Sequence, residues 1–178
     1  MISTGSVSPL AFDPSLTGVN PLPAGNGTLA SGIWYAAATG EGKGTMNTTT
    51  IRFLKAGMAY LLLGGFLGVL LSLPVTRDAL YASHPGARWG LAHAHIVLTG
   101  FVMMIIFGIA YHILPRFAGK PLHSEGWAAA HFWLAAPATA AMAIGFTHTF
   151  AVPLLWVGGA AQFAGIVLGV VNLWWTIR

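Results

Sequence analysis

Four apolar stretches, each close to the length that crosses a membrane, constrain this chain more than any other feature. They run over residues 51–75, 90–114, 126–146 and 152–177, and about 20 helical residues cover the roughly 30 Å of bilayer hydrocarbon. In lipid every backbone N–H and C=O needs an internal partner, so a spanning segment is a helix or part of a closed barrel. No alternating ten-residue pattern suggests a barrel. The sequence therefore predicts an all-α membrane protein, with four transmembrane helices in an up-down bundle. Composition agrees, since 7% of residues are charged against about 25% in soluble domains. Pro74, Pro85, Pro115, Pro121 and Pro153 punctuate the boundaries, as suits a residue that cannot continue a helix interior. Trp89, Trp127, Trp174 and Trp175 stand at segment ends, where amphipathic rings favour the headgroup layer.

Residues 1–50 are a different polymer. Rich in Gly, Ser, Thr, Pro and Asn, they cannot bury enough apolar surface to offset their ordering entropy. An irregular N-terminal extension over 1–50 is expected, followed by a four-helix domain over 51–178. The extension lacks the basic n-region and long apolar core of a signal peptide. Met46 opens a stretch that reads as a natural start, so residues 1–45 are expected to be a leader or upstream extension.

With four spans, Lys43, Arg52, Lys55, Arg116, Lys120 and Arg178 fall on one side and Arg77 and Arg88 on the other. The positive-inside rule then places both termini in the cytoplasm, in the inner membrane of a prokaryote. Eight basic residues spread in this way orient a membrane protein and form no nucleic-acid surface. Gly64 with Gly68, Gly165 with Gly169, and the alanines of the third stretch are read as helix-packing stripes.

Seven histidines and no cysteine define the possible chemistry. Without Cys there are no disulfides, thiolate zinc sites, iron–sulfur clusters or covalent c-type haem. Histidine inside a membrane segment is a functional hypothesis by default, because hydrocarbon penalises unpaired polar groups. His93, His95 and His148 form an outer level, and His112 and His131 an inner one; His84 and His123 are expected to be solvated loop residues. His93 and His95, two apart, point about 200° from each other on a helix, so one serves as ligand and the other faces elsewhere. Neutral imidazole is the usual axial partner of haem iron, and a helical bundle can sandwich the macrocycle. Gly100, Gly108 and the third-helix alanines supply small surface for it. Zinc fits less well, since no H-E-x-x-H occurs. Copper near Met103 and Met104 is an alternative, with core filling as the plainer role for both methionines.

The run His93-Ala-His95-Ile-Val-Leu-Thr-Gly100, continued by Phe107-Gly108-Ile-Ala-Tyr111-His112-Ile-Leu-Pro115-Arg116, resembles the second helix of the haem-copper oxidase subunit I superfamily. The cbb3-type, nitric oxide reductase and NnrS-like branches are nearest. In that superfamily a histidine at this place is an axial ligand of low-spin haem b, with a small residue and a proline at the offsets held here by Gly108 and Pro115. The resemblance therefore implies that His93 binds haem b, with His95 as the fallback. The superfamily's remaining haem and copper ligands lie on later helices, so these four helices alone cannot build its oxygen- or nitric-oxide-reducing centre. Asp78 and Glu125 are expected in loops, leaving no buried carboxylate for a proton path.

The expectation is thus a small integral-membrane b-type cytochrome that binds haem b for electron transfer. His148 is the expected intrachain second ligand; a homodimer contributing His93 or His148 is the alternative. His112 with His131 would add an inner haem. His95 and His112, like His131 and His148, are 17 residues apart, about 25 Å along a regular helix and about 100° off one face. Expected partners are membrane lipids and either further copies or a larger redox complex. A non-catalytic accessory or assembly subunit and a haem-based gas sensor are the alternatives.

Overall fold

The computed structural model describes residues 46–178. Five helices account for most of them: α1 (Thr48–Ser72), α2 (Pro74–Ser83), α3 (Trp89–Ala118), α4 (Glu125–Thr147) and α5 (Val152–Ile177). There is no strand among the described residues. All but α2 are long and apolar enough to cross a membrane. Their antiparallel order follows from the contacts. At one end, Phe53 of α1 meets Tyr111 of α3 and Phe132 of α4, and Asn172 of α5 holds Ser124. At the other end, Gly64 of α1 meets Val97 and Ile96 of α3, and Gly145 of α4 meets Leu155 of α5. Leu62, Phe66, Trp133, Trp156, Phe163 and Trp174 are each more than half exposed, a surface suited to lipid or to another membrane helix.

The element boundaries show local chemistry at work. The Asn47 side chain accepts from the Thr49 amide at 2.8 Å, an N-cap that starts α1 at Thr48 rather than Ile51. Of the expected 1–50 extension, residues 1–45 lie outside the described residues, and Thr48–Thr50 are helical. The first span ends earlier than Val75: Leu73 is extended (φ −89°, ψ 120°) and Pro74 opens α2, because proline's fixed φ suits a first helical turn. Asp78 is thereby in α2, paired with Arg77 at 3.0 Å, and Glu125 is the first residue of α4. Proline did not stop α3, which runs through Pro115 and ends at Gly119 in the left-handed region (φ 62°), where glycine carries no Cβ penalty.

One feature of α3 had no sequence signal. Ile96–Val102, directly after His95, is a π-helix. Gly100 within it lies so close to α1 that a Cβ would sit 2.6 Å from Tyr60 Cγ. The Thr99 hydroxyl donates to the His95 carbonyl at 2.7 Å. The π segment changes the winding between His95 and His112, so regular-helix arithmetic does not relate those two residues.

Candidate functional site

The core gathers at the Arg116 end of the bundle. Phe53, Met104, Phe107, Tyr111, Ala128, Phe132 and Ala135 are all buried there. Met104 is therefore packing, not a copper ligand in an open site. In the middle of this cluster is His131, 1% exposed. Its ring meets Phe107 edge-on at 4.4 Å and Phe53 at 5.0 Å, and its Nδ1 shares a 2.9 Å hydrogen bond with the Tyr111 hydroxyl. The fourth wall is α5: a Cβ on Gly169 would lie 2.5 Å from His131 Nδ1, and one on Gly165 3.2 Å from Cδ2. The Gly165/Gly169 pair read as a helix-packing stripe is the bed of an imidazole.

A second polar clamp closes the same end. Asn172, 0% exposed, accepts from the Ser124 amide at 2.9 Å and donates to the Ser124 carbonyl at 2.8 Å. Thr176 accepts from the His123 amide at 3.0 Å. These bonds tie the α3–α4 loop to α5. His112 lines a cleft of about 400 Å³ with Tyr111, Arg116, Lys120, Asn47 and Glu125. Tyr111 thus stands between His112 in the cleft and His131 in the core.

At the opposite end lie four histidines, and two of them occupy defined tautomers. A carbonyl oxygen only accepts, so a ring nitrogen bonded to one carries the proton. His93 Nδ1 donates to the Gly64 carbonyl at 3.1 Å, and His95 Nδ1 to the Leu91 carbonyl at 2.9 Å. His93 lies against α1, where a Cβ on Gly68 would be 3.0 Å from its Cε1. His95 lies against α4, its ring 4.7 Å from that of Phe146. The two rings diverge. Ala92 and Ile96, on another side of α3, line an apolar groove of about 350 Å³ with Leu67, Leu80, Trp89 and Thr147.

His148 ends α4 and meets His84, ring centroids 5.2 Å apart, rather than His93. Since α4 is the helix that His95 faces, His93 and His148 are not brought together. His84, expected to be solvated, packs against His148 and Trp89; His123 is exposed beside Trp127 and Trp175. Gly100 and Gly108, expected to bed a macrocycle, receive α1 side chains instead: Tyr60 at Gly100, Phe53 and Leu54 at Gly108. Tyr111 and Asn172 were not singled out by the sequence. A tyrosine in an apolar run and a lone asparagine near a helix end look like filler until their partners are known.

The comparisons with known proteins cover most of the chain. The family model for cytochrome c and quinol oxidase polypeptide I matches residues 3–177. The chain belongs to this family. A curated relative, the cbb3-type cytochrome c oxidase subunit CcoN1 of Stutzerimonas stutzeri, is 28% identical over 158 residues, covering 72% of this chain. The chain spans about a third of that relative's length, 32%. It is a multi-pass membrane protein of the haem-copper oxidase subunit I superfamily, and that family binds haem.

Whether a haem fits can be tested on His93. An axial imidazole needs a bare ring nitrogen and a partner that orients the other one. The Gly64 carbonyl supplies the partner, and Gly68 supplies space where any other residue would press on the ring. His93 Nδ1 is thus oriented, and its Nε2 makes no hydrogen bond among the described residues.

Proposed function

We propose that this subunit I-like protein is a b-type cytochrome unit of the inner membrane of a prokaryote, with His93 as an axial ligand of haem b. The observation that carries the reading is the hydrogen bond from His93 Nδ1 to the Gly64 carbonyl, 3.1 Å. It fixes the tautomer that leaves Nε2 as the donor atom for iron, and such bonds typically raise ligand basicity. When bound, the haem supplies one-electron transfer. The chain's own residues orient the imidazole through Gly64 and admit it through Gly68.

Because His93 faces away from α4, the second axial ligand comes from outside these four helices. A second copy of the chain or another subunit of a larger redox complex would provide it, and His148 keeps its place against His84. The basic residues near Arg52, Arg116 and Arg178 put both termini on the cytoplasmic side.

A reduced-minus-oxidised visible spectrum of the detergent-purified protein, with a pyridine haemochrome assay, tests the reading. Sharp reduced α and β bands of protohaem are expected, lost in His93→Ala and retained in His95→Ala. A folded, colourless protein refutes haem binding. A fully loaded His93→Ala variant moves the ligand elsewhere.

A further inference from the structure

Among the described residues no group of three or more His, Cys, Asp or Glu side chains gathers around a common centre. His84 and His148 nonetheless share a property that their sequence positions conceal. Each Nδ1 sits 2.9 Å from a neighbouring hydroxyl, Ser83 Oγ for His84 and Thr147 Oγ1 for His148. A hydroxyl has one proton to donate. Ser83 spends it on the Leu80 carbonyl at 3.0 Å, and Thr147 on the Ala143 or Ile144 carbonyl at 3.2 or 3.1 Å. With those donations made, the hydroxyls accept from Nδ1, the tautomer that leaves each Nε2 free to bind a cation.

We infer that His84 and His148 form a two-imidazole site for a borderline divalent cation of the Zn2+ class, joining the end of α2 to the end of α4. Two imidazoles on one tetrahedral ion, with zinc–nitrogen bonds of about 2.0–2.1 Å, have ring centroids about 5 Å apart; these are 5.2 Å apart. Imidazole-only donors select zinc, copper or nickel over calcium or magnesium, which take oxygen. The hydroxyl partners are the orienting groups that ligating histidines commonly have. Both rings are part-buried, with Trp89 edge-on to His84 and Phe150 edge-on to His148. Water would complete the coordination. The sequence argued against zinc because no helical H-E-x-x-H occurs, but these ligands come from two separate chain segments.

The test is calorimetric titration of the detergent-purified full chain with Zn2+ alone. One ion per chain is expected, with affinity falling by more than the roughly 10–100-fold that loss of an orienting partner costs. This should happen in His84→Ala and in His148→Ala alike, and His123→Ala should bind as the unaltered protein does. A measurement without substitutions guards against misfolding: Zn2+ should protect His84 and His148, and not His123, from carbethoxylation mapped by mass spectrometry. Unchanged affinity in both single variants, or no protection of either ring, overturns the proposal. The haem spectrum of His84→Ala should be that of the unaltered protein, so loss of zinc binding and loss of haem are separable.

Discussion

Gly169 offers a sharp test of how α5 and His131 fit together, because the same substitution on the same helix has opposite expected signs at two glycines. An added Cβ at Gly169 would lie 2.5 Å from His131 Nδ1, 2.6 Å from Cε1 and 2.9 Å from Phe107 Cε1. None of these atoms can retreat easily, since His131 is 1% exposed, Phe107 is 6% exposed, and Phe53 blocks another side. Overpacking a filled core costs typically 1–3 kcal/mol, and displacing the ring from Tyr111 forfeits a hydrogen bond worth about 0.5–1.5 kcal/mol net. Against this, Gly→Ala in a helix interior returns about 1 kcal/mol. Gly169→Ala should therefore destabilise by about 1–3 kcal/mol. Gly159, ten residues earlier in α5, has nothing within 4 Å of its Cβ position. Gly159→Ala should be neutral or stabilising by up to about 1 kcal/mol. Reversible unfolding in mixed micelles by SDS titration, followed by circular dichroism, measures both. The clash also predicts a coupling: with His131→Ala already present, Gly169→Ala should turn from harmful to favourable, because the new methyl enters the vacated space. Equal stability of Gly169→Ala and Gly159→Ala, or no sign reversal with His131→Ala, refutes the argument.

Three further expectations follow from the same reasoning. Asn172→Ala removes both bonds to Ser124 and leaves the Ser124 amide without a partner, while the Ser124 carbonyl keeps the Ala128 amide at 3.2 Å. This should cost about 1–3 kcal/mol and speed limited proteolysis in the α3–α4 loop. Tyr60→Phe deletes the hydroxyl that donates to the Ala136 carbonyl at 2.6 Å, beside Pro137 within α4. It should lower stability by about 0.5–1.5 kcal/mol in the same titration without altering helix content. Single cysteines placed at Lys120 and at Ser83 should label from opposite faces of sealed vesicles with an impermeant thiol reagent. Labelling from the same face contradicts the four-span topology.

How much was legible before any coordinates depends on the range of the physics involved. The four spans are readable because lipid solvation acts on each segment separately: a run of about 20 apolar residues spans whatever its neighbours do. The fourth span, residues 152–177, coincides with α5 for that reason. Boundaries were less secure where a single residue plays two roles. Pro115 reads as a stop yet lies inside α3, while Pro74 truly opens a new helix. The His93 motif was visible from its run of residues, and the family match spans residues 3–177. The π-helix at Ile96–Val102 was not visible, because hydropathy and residue spacing do not separate π from α winding over a single turn or two.

The sequence alone determined the solvent of this protein, the number of its spans and the divergence of His93 from His95. All three follow from hydropathy and helical period, which are properties of one segment at a time. Tertiary structure decided the partner of each imidazole: Gly64 for His93, Phe146 for His95, Tyr111 for His131 and His84 for His148. Two glycine pairs that would pack a helix or cradle a ring equally well became cradles only when α1 met α3 and α5 met α4. Such partnerships depend on distance between segments far apart in the chain, and hydropathy carries no record of that distance.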